Sequence, residues 1–168
     1  DVALLDSAIA MLANVGMNHL ATGSVPPRLG NGHPSIVPYQ VFATGGEQHL
    51  ILACGNDKQF AAVCEVMGQN WHQDGRFTSN PLRVQNREAL VALMAAAFLC
   101  KERNEWLGLF DAAGVPCGPI NNIAEAVAMP QTQAREMVVG LPKADTEIRV
   151  LASPVKLSAT PVQYRSAP

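Results

Sequence analysis

Aromatic side chains are scarce, 5% of the 168 residues, and Trp71 and Trp106 stand far apart among residues at core-like spacing. This excludes a stacking platform for bases or sugars. Neither sign of charge dominates: 12 basic residues face 14 acidic ones, for a net charge of −2. The footprint of a polyanion-binding protein is therefore missing, and no nucleic acid is expected as a partner. No stretch approaches the roughly 20 continuous apolar residues of a membrane helix, so no membrane partner is expected. No charged-then-apolar leader with a cleavage site opens the chain. Cysteine is present but never clustered: Cys54, Cys64, Cys100 and Cys117 make no CxxC pair and no Cys/His set with zinc spacing. They read as reduced thiols of a cytoplasmic protein, with no metal site. At 48% hydrophobic residues, the chain is able to bury a core without staples.

What is present is a sequence of short elements. Apolar residues at Leu5, Ile9, Leu12 and Val15 predict one amphipathic helix over 3–19. Glycine and proline make 22–34 a loop. Residues 35–44 and 49–53 read as strands of a hairpin that turns at Gly45-Gly46. Asn56 or Asp57 caps a helix that places Phe60, Val63, Cys64 and Met67 on one face. A polar connector, 69–85, leads to Asn86 and a helix with Leu90, Leu93, Met94 and Ala97 inward. Asn104 caps the next, with Trp106, Leu109, Phe110 and Ala113 inward. The VPCGP run at 115–119 reads as a rigid loop. Asn121 or Asn122 caps a short helix, Pro130 starts another, and 137–141 with 147–151 form a closing pair of strands. The proline-rich stretch 153–168 reads as an extended tail. The fold class is α+β, a short antiparallel sheet with several helices.

Two places offer polar groups beside flexible backbone. Gly30, Asn31, Gly32 and His33, preceded by Arg28, form a loop whose glycines let backbone N–H groups approach a ligand. It matches neither the dinucleotide fingerprint nor the P-loop, and most such loops are only turns. Asn56 and Asp57 lie at a strand-to-helix junction, where capping is the commoner use. Cys117 sits among Val, Pro and Gly, with no base to lower its pKa. Asp74, Arg76, Arg83 and Arg87 read as a solvated connector. The residues alone describe a domain without a complete catalytic set.

Taken together, VALLDSAIAMLAN, TGSVPPRLGNGHPSIVPYQVFAT, LACGNDKQF, RFTSNPLRVQNREAL, EWLGLFDAAGVPCGPINNIAEA and SPVKLSATP resemble the class III CoA-transferases over the whole chain. This is the family of formyl-CoA and carnitine CoA-transferases, related to the α-methylacyl-CoA racemases. The resemblance implies an aspartate that attacks an acyl-CoA thioester, giving a mixed anhydride and then an enzyme-CoA thioester before a carboxylic acid acceptor takes the CoA. That aspartate lies upstream of this segment, so no catalytic residue is expected here and the segment alone is expected to be inactive.

The resemblance also assigns Gly30, Asn31, Gly32 and His33 to a glycine loop over the active site that shields the intermediates from water, with Arg28, Asn56 and Asp57 as supporting residues. There are fewer glycines here than in the formyl-CoA transferases, a departure that counts against oxalate or formyl specificity. Gly45-Gly46 replaces the family's usual Asp-Gly. The implied organisation is a helix and linker over 1–24, a small α+β domain over 25–152 and a return linker over 153–168. No covalently bound cofactor is implied; coenzyme A thioester is a substrate of the parent enzyme, which is an interlocked homodimer. The alternatives are a racemase fragment, in which the active-site glutamate falls near Asp57, and a non-catalytic assembly module. The helix over 3–19 is expected to expose an apolar stripe in isolation.

Overall fold

Strands β1 (Tyr39–Ala43) and β2 (His49–Ala53) pair antiparallel from Tyr39 opposite Ala53 to Ala43 opposite His49. Their alternation puts Phe42, Leu50 and Leu52 in the core. The connecting turn needs left-handed backbone at Gly46, φ 69°, and at Glu47, φ 59°, and glycine meets the first demand without strain. These observations come from a computed structural model that describes residues 2–144 and 146–165. The chain divides into two compact units, Asp1–Ile120 and Asn121–Pro168.

In the first unit the sheet has a third strand. Cys117–Ile120 (β3) pairs antiparallel with β2, so the segment read as a loop is in part a strand. Pro119 argues against a strand in the sequence, because proline lacks a ladder donor. The register puts it opposite Leu50, whose N–H and C=O face β1; its nitrogen points away from β2 and no ladder bond is lost.

Of the two expected candidates Asn56 caps α3 (Asp57–Val66), its Oδ1 accepting from Gln59 N at 2.9 Å, and Asp57 is the first helical residue. Phe60, Val63 and Cys64 of α3 are buried. The polar connector contains a single turn at Trp71–Gln73 and α4 (Asn80–Gln85). Next come α5 (Arg87–Phe98) and α6 (Arg103–Ala112). Asn86 precedes α5 but does not cap it; its side-chain amide donates to the Leu82 and Arg76 carbonyls. Glu102, not Asn104, is the boundary residue of α6. Of the residues expected inward, Leu90, Met94, Trp106 and Phe110 are buried, but Leu93 is 40% and Leu109 38% exposed. The buried stripes are narrower than their apolar patterns.

The expected single helix over 3–19 is two helices, α1 (Leu4–Ala10) and α2 (Ala13–Thr22). The joint lies at Ala13, φ 41°. Neither helix buries a residue, so no packing offsets the weak helix propensity of Asn14, Val15 and Gly16. Of the expected apolar stripe Leu5 is 71%, Ile9 60% and Leu12 50% exposed, and Leu4, Met11 and Leu20 outside it are exposed as well.

The core of this unit centres on Phe98. Its ring stacks on Phe42 at 4.7 Å and meets Trp106 edge-on at 5.4 Å, and its carbonyl accepts from Trp106 Nε1 at 2.9 Å.

The second unit holds α7 (Ile123–Ala128), α8 (Pro130–Ala134) and a hairpin of β4 (Val138–Lys143) and β5 (Thr146–Leu151). Asn122 and Glu125 form a reciprocal capping box, and Pro130 opens α8. The expected closing strands are this hairpin. The tail after Ser153 forms no helix or strand through Arg165; its last residues, 166–168, lie outside the described ones.

Candidate active-site loop

The glycine loop is a fixed turn. Gly32 N–H donates to the Leu29 carbonyl at 3.0 Å, and Gly30 has φ 59°, a left-handed conformation that suits glycine. Asn31 Oδ1 accepts from Val41 N at 3.0 Å, and His33 N–H donates to the Tyr39 carbonyl at 2.9 Å, so both tie the loop to β1. The His33 ring stacks on Tyr39 at 5.3 Å. Its Nδ1 accepts from Ser35 N at 3.1 Å, which leaves the proton on Nε2. Nε2 lies 3.3 Å from the side-chain amide nitrogen of Asn14. A donated bond there requires the Asn14 amide turned to present its oxygen. Arg28 is exposed at the start of the loop.

Three side chains that the sequence reading did not assign to this site hold the segment behind the loop. Asn80 accepts from Val37 N at 3.1 Å and donates to the Ser35 carbonyl at 2.8 Å. Arg83 donates through Nε to the Val37 carbonyl at 2.6 Å and through Nη1 to the Phe77 carbonyl at 3.1 Å. Arg87 Nη2 donates to the His33 and Pro34 carbonyls at 2.8 and 2.9 Å. Residues 80, 83 and 87 follow a helical repeat of three and four, which was the available signal.

The solvated-connector reading therefore holds for Asp74 and Arg76, an exposed pair at 2.7 Å, and fails for Arg83 and Arg87. Arg83 has 0% of its side chain exposed, and its guanidinium lies 4.4 Å from the centroid of the Phe60 ring. It reaches the second candidate place: Nη2 donates to Asp57 Oδ1 at 2.7 Å, while the Asp57 side chain is 58% exposed. Arg83 thus joins the Asn56–Asp57 corner to the segment behind the glycine loop.

Among the described residues no group of His, Cys, Asp and Glu is arranged to hold a metal ion, and no helix is long and apolar enough to cross a membrane. In the second unit a cavity of about 560 Å³ is lined by Val138, Val155 and Tyr164, with Glu136 and Lys156 as its charged groups. It contains none of the candidate residues.

Burial pushes the Cys54 and Cys64 thiols up from 9.0 to about 11, with Arg83 opposing the shift at both. Burial likewise raises Cys117, while Cys100 is exposed. At pH 8 a disulfide reagent is expected to modify Cys100 within the mixing period and Cys54 and Cys64 only on unfolding. Because the folded thiols keep their protons above the pH at which the unfolded ones lose them, stability is expected to be complete below about pH 9 and to fall as pH rises toward about 11. Urea midpoints measured across that range check the sign.

The description CoA-transferase family III matches residues 1–168. The chain belongs to this family. An acyl-CoA transferase of Fusarium pseudograminearum is 40% identical over 100% of this chain and 38% of its own length. A succinate–glutarate CoA-transferase of Agrobacterium fabrum is 40% identical over 98% of this chain and 41% of its own length. A CaiB/BaiF family protein of Brucella suis, known by its crystal structure, matches with a TM-score of 0.80 at 37% identity, covering 95% of this chain and 42% of that one. The chain thus spans about two fifths of the length of the curated relatives it matches. It has the expected α+β fold.

Proposed function

We propose that the full-length enzyme moves CoA from an acyl-CoA thioester to a carboxylic acid, and that this segment supplies the glycine loop and part of the acceptor pocket. The observation that carries the reading is the loop itself: Gly30 to His33 is pinned to β1 and clasped from behind by Asn80, Arg83 and Arg87. A pre-formed cover suits chemistry through anhydride and thioester intermediates, which water would destroy. Arg28, Asn56 and Asp57 stand as supporting residues, Asp57 through Arg83.

In this reading the nucleophilic aspartate belongs to sequence outside this segment, and the 168 residues alone are inactive. Residues 1–24 and 153–168 act as linkers on either side of a small domain, in a cytoplasmic homodimer. The names of the relatives favour transfer over racemisation, and succinate and glutarate point to dicarboxylic acids as the acceptor class.

The test is the intact mass of the purified chain after incubation with an acyl-CoA, beside the full-length enzyme. The expected result is an acyl or CoA adduct on the full-length enzyme and none on the segment. An adduct on the segment would overturn the placement of the nucleophile.

A further inference from the structure

Arg87 is only half used. Its Nη2 serves the His33 and Pro34 carbonyls, while Nε and Nη1 have no partner among the described residues. Arg83, by contrast, is engaged through Nε, Nη1 and Nη2. Burial lowers the Arg87 pKa, and among the described residues no ion pair with a carboxylate offsets that. A partly desolvated guanidinium with open N–H groups and no counter-ion is a place prepared for an anion.

The open Nη1 faces space that glycine leaves vacant. A methyl carbon added at Gly32 would lie 3.6 Å from Arg87 Nη1, 3.6 Å from Gln40 Oε1 and 3.3 Å from the Leu29 carbonyl oxygen. The Gly32 backbone lies outside the left-handed region, so its conformation does not itself call for glycine. Glu88, the next residue along α5, forms no ion pair with Arg87 among those found in the described residues. No Asp or Glu occurs from Ser7 to Gly46, while Arg28 lies on the loop. The Gln40 amide, turned over, would add a second donor.

We infer that the Nη1 edge of Arg87, the Gln40 amide and the notch at Gly32 form a subsite for the non-reacting carboxylate of a dicarboxylic acceptor. The inference rests on the transfer reading above and names the residue that would select the acceptor. A guanidinium suits the distal carboxylate rather than the attacking one, because an ion pair held through the reaction would make the attacking oxygen a poorer nucleophile. An anionic oxygen of the same chemistry is offered by the phosphates of CoA, and the kinetics separate the two sources.

The experiment compares glutarate with pentanoate, which lacks the second carboxylate, as acceptors for the full-length enzyme with one acyl-CoA donor. Arg87→Gln is expected to lower the preference for glutarate over pentanoate about 10-fold or more, from loss of a charge-assisted hydrogen bond, beyond any loss the two acids share through the loop that Arg87 clasps. Arg87→Lys is expected to fall between, since lysine keeps charge but not the fork. Gly32→Ala, which fills the notch and spares the guanidinium, is expected to lower the same glutarate-over-pentanoate preference, whatever it costs both acids through the loop. Equal losses for both acids would reduce Arg87 to a clasp of the loop and overturn the subsite. A rise confined to the KM for acyl-CoA would assign the edge to phosphate and overturn it likewise. A wild-type enzyme that transfers no CoA would sink the transfer reading; calorimetric titration of glutarate into wild type and Arg87→Gln would then judge the subsite alone, with equal affinities ruling it out.

Discussion

Replacing Arg83 by methionine is expected to destabilise the chain by about 2–6 kcal/mol, from two buried carbonyls that each lose a donor at about 1–3 kcal/mol. The carbonyls are those of Val37 and Phe77, both residues fully buried, and the flexible methionine fills most of the vacated volume. The ion pair with Asp57 contributes little, because the carboxylate is largely in water. Asp57→Asn keeps an oxygen to accept from Nη2 and leaves both carbonyl bonds in place, so it is expected to cost less than Arg83→Met even though the buried guanidinium loses its carboxylate. Urea unfolding followed by tryptophan fluorescence compares the two. Equal costs would mean that the ion pair, rather than the carbonyls, is what Arg83 serves.

The second large effect is at Phe98. Truncation to alanine removes the ring that touches Phe42, Trp106 and Phe110, with centroids 4.7, 5.4 and 5.9 Å away. The expected cost is about 3–5 kcal/mol, the range for emptying a fully buried aromatic site. Leu109→Ala on the neighbouring helix is expected to cost less than about 1 kcal/mol, since Leu109 is 38% exposed although its spacing predicts burial. The same unfolding measurement decides both, and a Phe98→Ala loss below that of Leu109→Ala would show that the aromatic cluster closes over the gap.

These two residues also mark where the sequence is readable. The β1–β2 hairpin and the caps at Asn56 and Asn122 depend on residues only a few positions apart; the hairpin was legible and each cap was narrowed to two neighbours, while the reciprocal partner Glu125 was not read. The membership in the family was legible from phrases spread along the whole chain. Arg83 was not, because a buried arginine is defined by carbonyls 46 and 6 residues away and an aromatic ring on another helix. The same holds for Arg87, whose carbonyl partners lie 54 and 53 residues off. Charged side chains are read as solvated unless a long-range partner is known. The strand at Cys117–Ile120 was hidden by Pro119, whose tolerance depends on which way its nitrogen faces, and that is decided by a strand far back in the chain. The break at Ala13 reflects missing packing, which periodicity does not register.

The bonds from Asn31 and His33 to Val41 and Tyr39 occupy the side of β1 that turns away from β2. A strand with that side bare would be a template for any extended segment of another molecule. The glycine loop is therefore also a guard on the sheet's border, as Pro119 is on the opposite border. A loop that swung fully aside to admit substrate would lay open an unpaired strand. Asn31 and His33 therefore carry a second task besides shaping the loop: the loop cannot leave the sheet without baring that strand.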